Sequence, residues 1–454
     1  MGDRVAPEPP VIAPAANASV QKQGAYGKIP THKRSKLEQF SHPLEIACAL
    51  SLKLGLRGGM SAKIALPEQV STSLREDIAF CDRSLGQVSR SFAAVIRQLP
   101  RGLVLDILIF YLVLRALDTI EDDMEAFVDE PEAKLRHLRV FGTEYLGNAA
   151  WAPLAGVGEG AEAELLQSFQ AVNRVFHSLP AESQDIIRDV TNRMGAGMAQ
   201  RLMVALGQGT ADLAAYNEYC YAVAGLVGEG LTRLFIGRGY EGPAIAQQGQ
   251  LVWPFCTPSA ESSGGANYGL AVSMGLFLQK ANIIRDYLED FVEGRSFWPQ
   301  SEWRRFADDL DEFAWLKPAP AHVVARDSLK TPMRRALSCV SALVADALML
   351  VPESLRYLAL LEDSKVFRFC AIPQVMAIAT LEACFNNPLV FSGVVKIRKG
   401  LAARLILSAG AIGPVRHWFR HFALRIRRRC PPDDPSRERL EQAVGAILGV
   451  VCVV

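Results

Sequence analysis

The stretch FYLVLRALDTIEDDM, residues 110–124, decides the fold and sets the functional question. Residues 110–114 are as apolar as a buried core helix, yet Arg115, Asp118, Glu121, Asp122 and Asp123 follow within two turns. On a helix, Tyr111, Arg115, Asp118 and Asp122 fall at i, i+4, i+7 and i+11, on one stripe, with Glu121 beside it. A generic acidic run is a solvated helix end. Here the apolar turns before it place the helix in the interior. A buried carboxylate loses several kcal/mol of hydration unless a counter-charge is at hand. One arginine does not balance four acids, so the pattern calls for a bound cation.

The segment GLFLQKANIIRDYLEDFVEGRSFWP (275–299) repeats the design, with Gln279, Asn282, Asp286 and Asp290 at i, i+3, i+7 and i+11. Two interior helices thus each present a pair of carboxylates four residues apart. Oxygen ligands without His or Cys are hard and select Mg²⁺. Mg²⁺ keeps its waters and bridges to phosphates, which points to a polyphosphate substrate held between the helices. Arg115, Arg285 and Arg295 are then placed to meet phosphate oxygens. Phe92, Phe110, Leu114, Leu278, Ile283 and Phe369 lie in apolar segments and suit a long hydrocarbon tail. Loss of diphosphate from such a tail leaves an allylic cation, which needs a dry site with aromatic faces.

Outward from these helices, long stretches carry apolar residues at helical spacing, and alternating β-branched runs are sparse. The fold is expected to be all-α, with residues 41–405 as one helical unit. No repeat of fixed period is present, which excludes helical solenoids. The chain has 454 residues, and its 49 basic and 48 acidic side chains nearly cancel, which excludes a general nucleic-acid binder. Nine cysteines without a C-x-x-C read as free thiols. The motif GRGYEG (237–242) follows a helical segment, not a strand, so it reads as a turn and not a dinucleotide site. The Pro/Ala-rich residues 1–40 read as a disordered extension. Residues 406–454 run basic (RHWFRHFALRIRRRC, 416–430), then polar, then apolar (AVGAILGVVCVV, 443–454). That apolar run is 12 residues where a bilayer span takes roughly 20. It reads either as the end of a soluble fold or as a membrane-associating segment. Since every chemical motif precedes residue 400, removal of residues after about 430 is expected to spare activity.

SRSFAAVI (89–96), FYLVLRALDTIEDDM (110–124), EYCYAVAGLVGEGLTRLF (218–235), SMGLFLQKANIIRDYLEDFVEGRSFWP (273–299), FCAIPQVMAIATLEAC (369–384) and VKIRKG (395–400) together resemble the squalene synthases, the farnesyl-diphosphate farnesyltransferases. The resemblance implies an all-α isoprenoid-synthase bundle with a large central cavity. It also implies two steps. Two farnesyl diphosphates condense to presqualene diphosphate, which is then rearranged and reduced with NADPH to squalene, a sterol precursor. Asp118, Glu121, Asp122, Asp286 and Asp290 match the family's Mg²⁺–diphosphate ligands, and Tyr219 matches the proposed first-step base. Arg90, Arg115, Arg285, Lys396 and Arg398 match residues assigned to NADPH phosphates. Phe92, Phe369 and Pro373 match the apolar wall, and Tyr111, Arg115, Gln279, Asn282 and Arg295 are expected to bind substrate. VKIRKG favours the reductive enzyme over relatives that stop at presqualene diphosphate or make another hydrocarbon. A monomer on the cytosolic face of the endoplasmic-reticulum membrane, held through its C-terminus, is expected.

Overall fold

The computed structural model describes residues 29–32, 42–53, 64, 71–148, 154–203, 206–251, 267–316 and 331–452. Helices dominate, as the apolar spacing requires. The two strands among the described residues, Thr31–His32 and Val394–Val395, form one short parallel pair. This corrects the expectation for part of the first 40 residues. Pro30 accepts from the Val394 N–H at 2.9 Å, and the His32 ring meets Ser392 Oγ at 3.1 Å, so residues 29–32 are tied to the segment before VKIRKG. The remainder of that extension, and residues 253–266 of the stretch WPFCTPSAESSGGAN (253–267), lie outside the described residues.

The first acidic helix, Arg101–Asp122, buries fifteen residues, among them Phe110, Leu114, Leu117 and Ile120. It stops at Asp123, whose backbone turns extended. The Asp123 carboxylate accepts from the N–H groups of Glu125, Ala126 and Gly158 at 2.7–2.9 Å, so this acid shapes the turn and leaves the cluster to its neighbours. The second acidic helix, Gly269–Arg285, is central. It packs on Ser364–Cys384, on Val351–Leu360, on Pro332–Leu348 and on Leu226–Gly237 with the π-helical turn Tyr221–Gly225 before it. Glycines allow that close approach. A Cβ at Gly275 would lie 2.2 Å from the Ala224 carbonyl oxygen, and one at Gly228 2.3 Å from that of Ala271.

The second helix breaks at Asp286 and resumes as Tyr287–Val292, but the spacing read from the sequence survives. Asp286 N–H bonds Asn282 at 2.8 Å and Asp290 N–H bonds Asp286 at 3.0 Å. Gly294 then adopts φ +78°, and Arg295 N–H reaches back to the Asp290 carbonyl at 2.8 Å. This left-handed closure folds Arg295 back over the acids. GRGYEG is a turn, as expected: Leu226–Gly237 ends there and the Tyr240 N–H bonds the Phe235 carbonyl.

The C-terminal region does not separate from the body at residue 405. Lys399–Ser408 packs on Pro43–Lys53, Ile412–Arg429 on Ser364–Cys384, and Arg437–Val451 on Pro332–Leu348. Leu440, Ala443, Val444 and Ile447 are fully buried, so this face of the terminal apolar run is core. Arg439 bonds Asp346 at 2.6 Å and Glu302 at 3.2 Å, and Asp346 also holds the buried Lys280. Three other stretches, Leu213–Gly237, Pro332–Leu360 and Ser364–Cys384, are long and apolar enough to cross a membrane; half or more of each apolar window is buried inside the protein.

Candidate active site

The two acidic helices face one cavity of about 430 Å³. Fourteen of the eighteen residues expected to act as base or to bind metal, substrate or cofactor line it, as do Phe110, Leu114, Leu278 and Ile283. Asp118, Glu121, Asp122, Arg115 and Tyr111 come from the first acidic helix, and Gln279, Asn282, Asp286, Asp290 and Arg295 from the second and its closing turn. Phe92, Tyr219, Phe369 and Pro373 complete the set from three other segments. The other four expected residues are not brought in. Arg285 and Lys396 are absent from the lining, Arg398 faces a different cavity, and the Arg90 side chain lies outside the described residues.

Polar and apolar ends are segregated. One oxygen from each of Asp118, Glu121 and Asp122 lies within 4.8 Å of the others. Arg115 donates to Asp118 at 2.7 Å, and Arg295 bridges from Asp122 toward Asp290, at 3.9 Å. Arg285 donates to Asp286 at 2.7 Å from outside the cavity. Five carboxylates therefore share three arginines. Burial, with Asp122 adjacent and only partly offset by Arg115 and Arg295, pushes the Asp118 carboxyl up to about 7. Burial, Asp122 and Asp118 push Glu121 up to about 8, and burial raises Asp290 well above the carboxylate range. A third of the Asp118 side chain is nonetheless open, toward the cavity, so an entering ligand meets it directly. The excess of hard oxygen donors, held partly protonated for want of positive charge, fits divalent cations such as Mg²⁺.

Beyond the acids the wall is apolar and aromatic. Phe92 and Tyr111 stand with ring centroids 5.4 Å apart, and Val227, Leu231, Met274 and Leu278 extend the surface. Tyr219 is buried and stacked on Phe297 at 4.7 Å with 12° between planes. Burial, with Glu121 nearby, raises its phenol well above 10. Phe297 and Arg201 were missed in the sequence. Phe297 sits in the quoted SFWP and carried no spacing signal. Arg201 is buried, donates to the Ser296 carbonyl at 2.9 Å and lies 6.0 Å from the Phe297 ring, which only the tertiary contact reveals.

The cations expected at the cofactor divide. Lys396 is exposed, and it and Arg285 both draw on Glu289 at the outer edge of the second acidic helix. Arg398 instead makes a bidentate pair with the buried Glu45, at 2.9 and 2.6 Å. Lys396 thus offers an exposed cation beside Glu289, whereas Arg285 is already bonded to Asp286. Arg398 contributes by fixing the segment that presents Lys396.

Known proteins resemble this chain over most of its length. A family model for squalene/phytoene synthases matches residues 85–400. Squalene synthase from Mus musculus is 38% identical over 406 residues, 89% of this chain and 86% of its own. Squalene synthase from Candida albicans is 38% identical over 415 residues, 90% of this chain and 83% of its own. The solved structure of TcSQS with the ligand BPH1237 superposes with TM-score 0.70 at 38% identity, covering 83% of this chain and 98% of that one. With acids on two facing helices, an aromatic cavity between them and likeness over nearly nine-tenths of its length, the chain belongs to the squalene/phytoene synthase family.

Proposed function

We propose that this chain is a squalene synthase that condenses two farnesyl diphosphates to presqualene diphosphate and reduces that intermediate to squalene. The observation that carries the reading is the cavity itself, whose acids Asp118, Glu121, Asp122, Asp286 and Asp290 stand at one end and whose other wall is apolar and aromatic. The five acids would hold Mg²⁺, which supplies positive charge for a departing diphosphate. Arg115 and Arg295 keep the carboxylates in place and offer donors to phosphate oxygens. The farnesyl chains lie against Phe92, Leu231, Met274, Leu278 and Phe369, which exclude water from the allylic cation.

Tyr219 is a neutral phenol at physiological pH, because its pKa is raised. Its hydroxyl therefore passes on a proton instead of starting as phenolate. The proton lost on condensation moves through it to the released diphosphate. Stacking on Phe297 fixes the ring for that transfer. Lys396 with Arg285 would hold the phosphates of NADPH, which when bound would provide a hydride for the second step. The chain acts as a monomer at the cytosolic face of the endoplasmic-reticulum membrane in this reading.

Incubation with farnesyl diphosphate and Mg²⁺, with and without NADPH, tests it by product identification. Squalene with NADPH and presqualene diphosphate without it are expected. A C30 hydrocarbon formed equally without NADPH would overturn the reductive assignment.

A further inference from the structure

The helix Pro131–Val140 turns one stripe inward, and on that stripe Lys134 stands one turn before Leu138. The position suits an apolar side chain, yet it holds a lysine that is 7% exposed. A lysine this deep is ordinarily paired with a carboxylate. Lys134 makes no ion pair among the described residues. Its Nζ donates to the Asp123 carbonyl at 2.8 Å and meets Met124 Sδ at 3.9 Å. Both partners follow directly on Asp122, where the first acidic helix ends. Lys134 is absent from the cavity lining, so it approaches the acids from behind. Burial pulls its pKa down to about 8, against the charges of Glu121, Asp122 and Asp123, so it stays cationic at pH 7.

Tying down a carbonyl does not account for that charge, because a neutral donor would serve the Asp123 carbonyl without the cost of sinking an ion. What the charge does reach is the acid cluster. Among the charged neighbours of Lys134, Glu121 acts on it most strongly, and Glu121 feels Lys134 in turn. Arg115 and Arg295 meet the same acids from the cavity side, where an entering phosphate can draw their donors away. Lys134 has no such freedom, so its charge stays beneath the acids whatever enters. A fixed cation there acts in opposite directions on two ligands. It repels a bare divalent ion, and it attracts the magnesium complex of diphosphate, which keeps a net negative charge.

We propose that Lys134 is a positioning residue of the acidic clamp, whose buried ammonium behind Glu121 disfavours bare Mg²⁺ and favours Mg²⁺ that arrives with a diphosphate. Metal then enters with the substrate and leaves with the product. This role presupposes that Asp118, Glu121 and Asp122 form the metal–diphosphate site, and it is exerted through those acids.

The test is calorimetric titration at pH 7, without turnover, of the full chain and of its variants K134Q, K134M and K134R. Each is titrated with Mg²⁺ alone and with inorganic diphosphate premixed with equimolar Mg²⁺. In both neutral variants bare Mg²⁺ should bind about 10-fold more tightly and the complex about 10-fold more weakly, the effect of one unit charge in partly wet protein. K134R keeps the charge and should stay within a few-fold of the wild type for both ligands. Gln can still donate to the Asp123 carbonyl and Met cannot, so a role confined to that turn would separate K134Q from K134M. Thermal melting of each variant shows that it folds. Weaker binding of both ligands in K134Q, no change in either, or wild-type affinities in K134Q with altered ones in K134M would overturn the proposal. Wild-type protein that binds neither ligand would overturn the metal–diphosphate reading, and this role with it.

Discussion

Asp118 and Glu121 hold protons that ordinary carboxyls would lose, because both are sunk beside Asp122 with too few cations. Their pKa values rise on folding from 3.8 to about 7 and from 4.5 to about 8. Between those limits these two groups bind more protons in the folded chain than in the unfolded one, so their contribution to stability is full below about 4 and falls as pH rises toward 8. Metal-free protein should therefore melt at a lower temperature at pH 8 than at pH 5.5. D118N should shrink that difference, and Mg²⁺ should raise the melting temperature most at pH 8. A melting temperature insensitive to Mg²⁺ at pH 8 would contradict the electrostatic account. At this scale the sequence was readable where spacing alone does the work, as for Asp118, Asp122, Asp286 and Asp290. It was silent where a turn aims the side chain. Asp123 looked like one more acid until its three backbone bonds assigned it to a turn, and the approach of Arg295 to Asp122 depends on the conformation of Gly294.

The VKIRKG segment shows what happens one level up. Its charges looked equivalent in the sequence, and a shared cofactor role was expected of Lys396 and Arg398. The fold separates them, because Pro43–Lys53 brings Glu45 against Arg398 across 353 residues. Burial works against the Glu45 carboxylate, but the bonds and charge from Arg398 outweigh it, and its pKa lies below the usual value. Arg398→Ala strands that carboxylate and should cost on the order of 3 kcal/mol in chemical denaturation, with most of the loss recovered by adding Glu45→Gln. Lys396→Ala should leave stability alone. It should raise the NADPH concentration needed for squalene by about 10-fold, a loss of about 1.4 kcal/mol, and let presqualene diphosphate accumulate. Equal loss of both products in Lys396→Ala would show that the segment closes the cavity instead. Periodicity identified the helices of this region, but no local pattern announces a partner that distant.

At the level of the whole molecule, the end of the chain departs most from its sequence reading. The composition of the run 443–454 left open whether protein or lipid covers it. The structure shows Leu440, Val444 and Ile447 at 0% exposure against Pro332–Leu348, with Arg439 tied to Asp346. Cutting after residue 430 should therefore cost on the order of 5 kcal/mol from these three side chains alone, and activity should fall with stability, contrary to the expectation from motif positions. A truncated protein that melts like the full chain would contradict the packing. The all-α class and the cavity's acids were readable because each rests on a pattern within one helix. The facing of two helices more than 150 residues apart could be inferred only from charge balance and resemblance.

Diphosphate release reports on that facing. Rates from farnesyl diphosphate should be followed across a Mg²⁺ titration for the wild type, Asp118→Asn and Asp286→Asn, alongside thermal melting. Each variant is expected to keep its fold and to lose at least about 100-fold in release even at saturating Mg²⁺, since each removes one side of the same clamp. Near-wild-type release from either variant would contradict it.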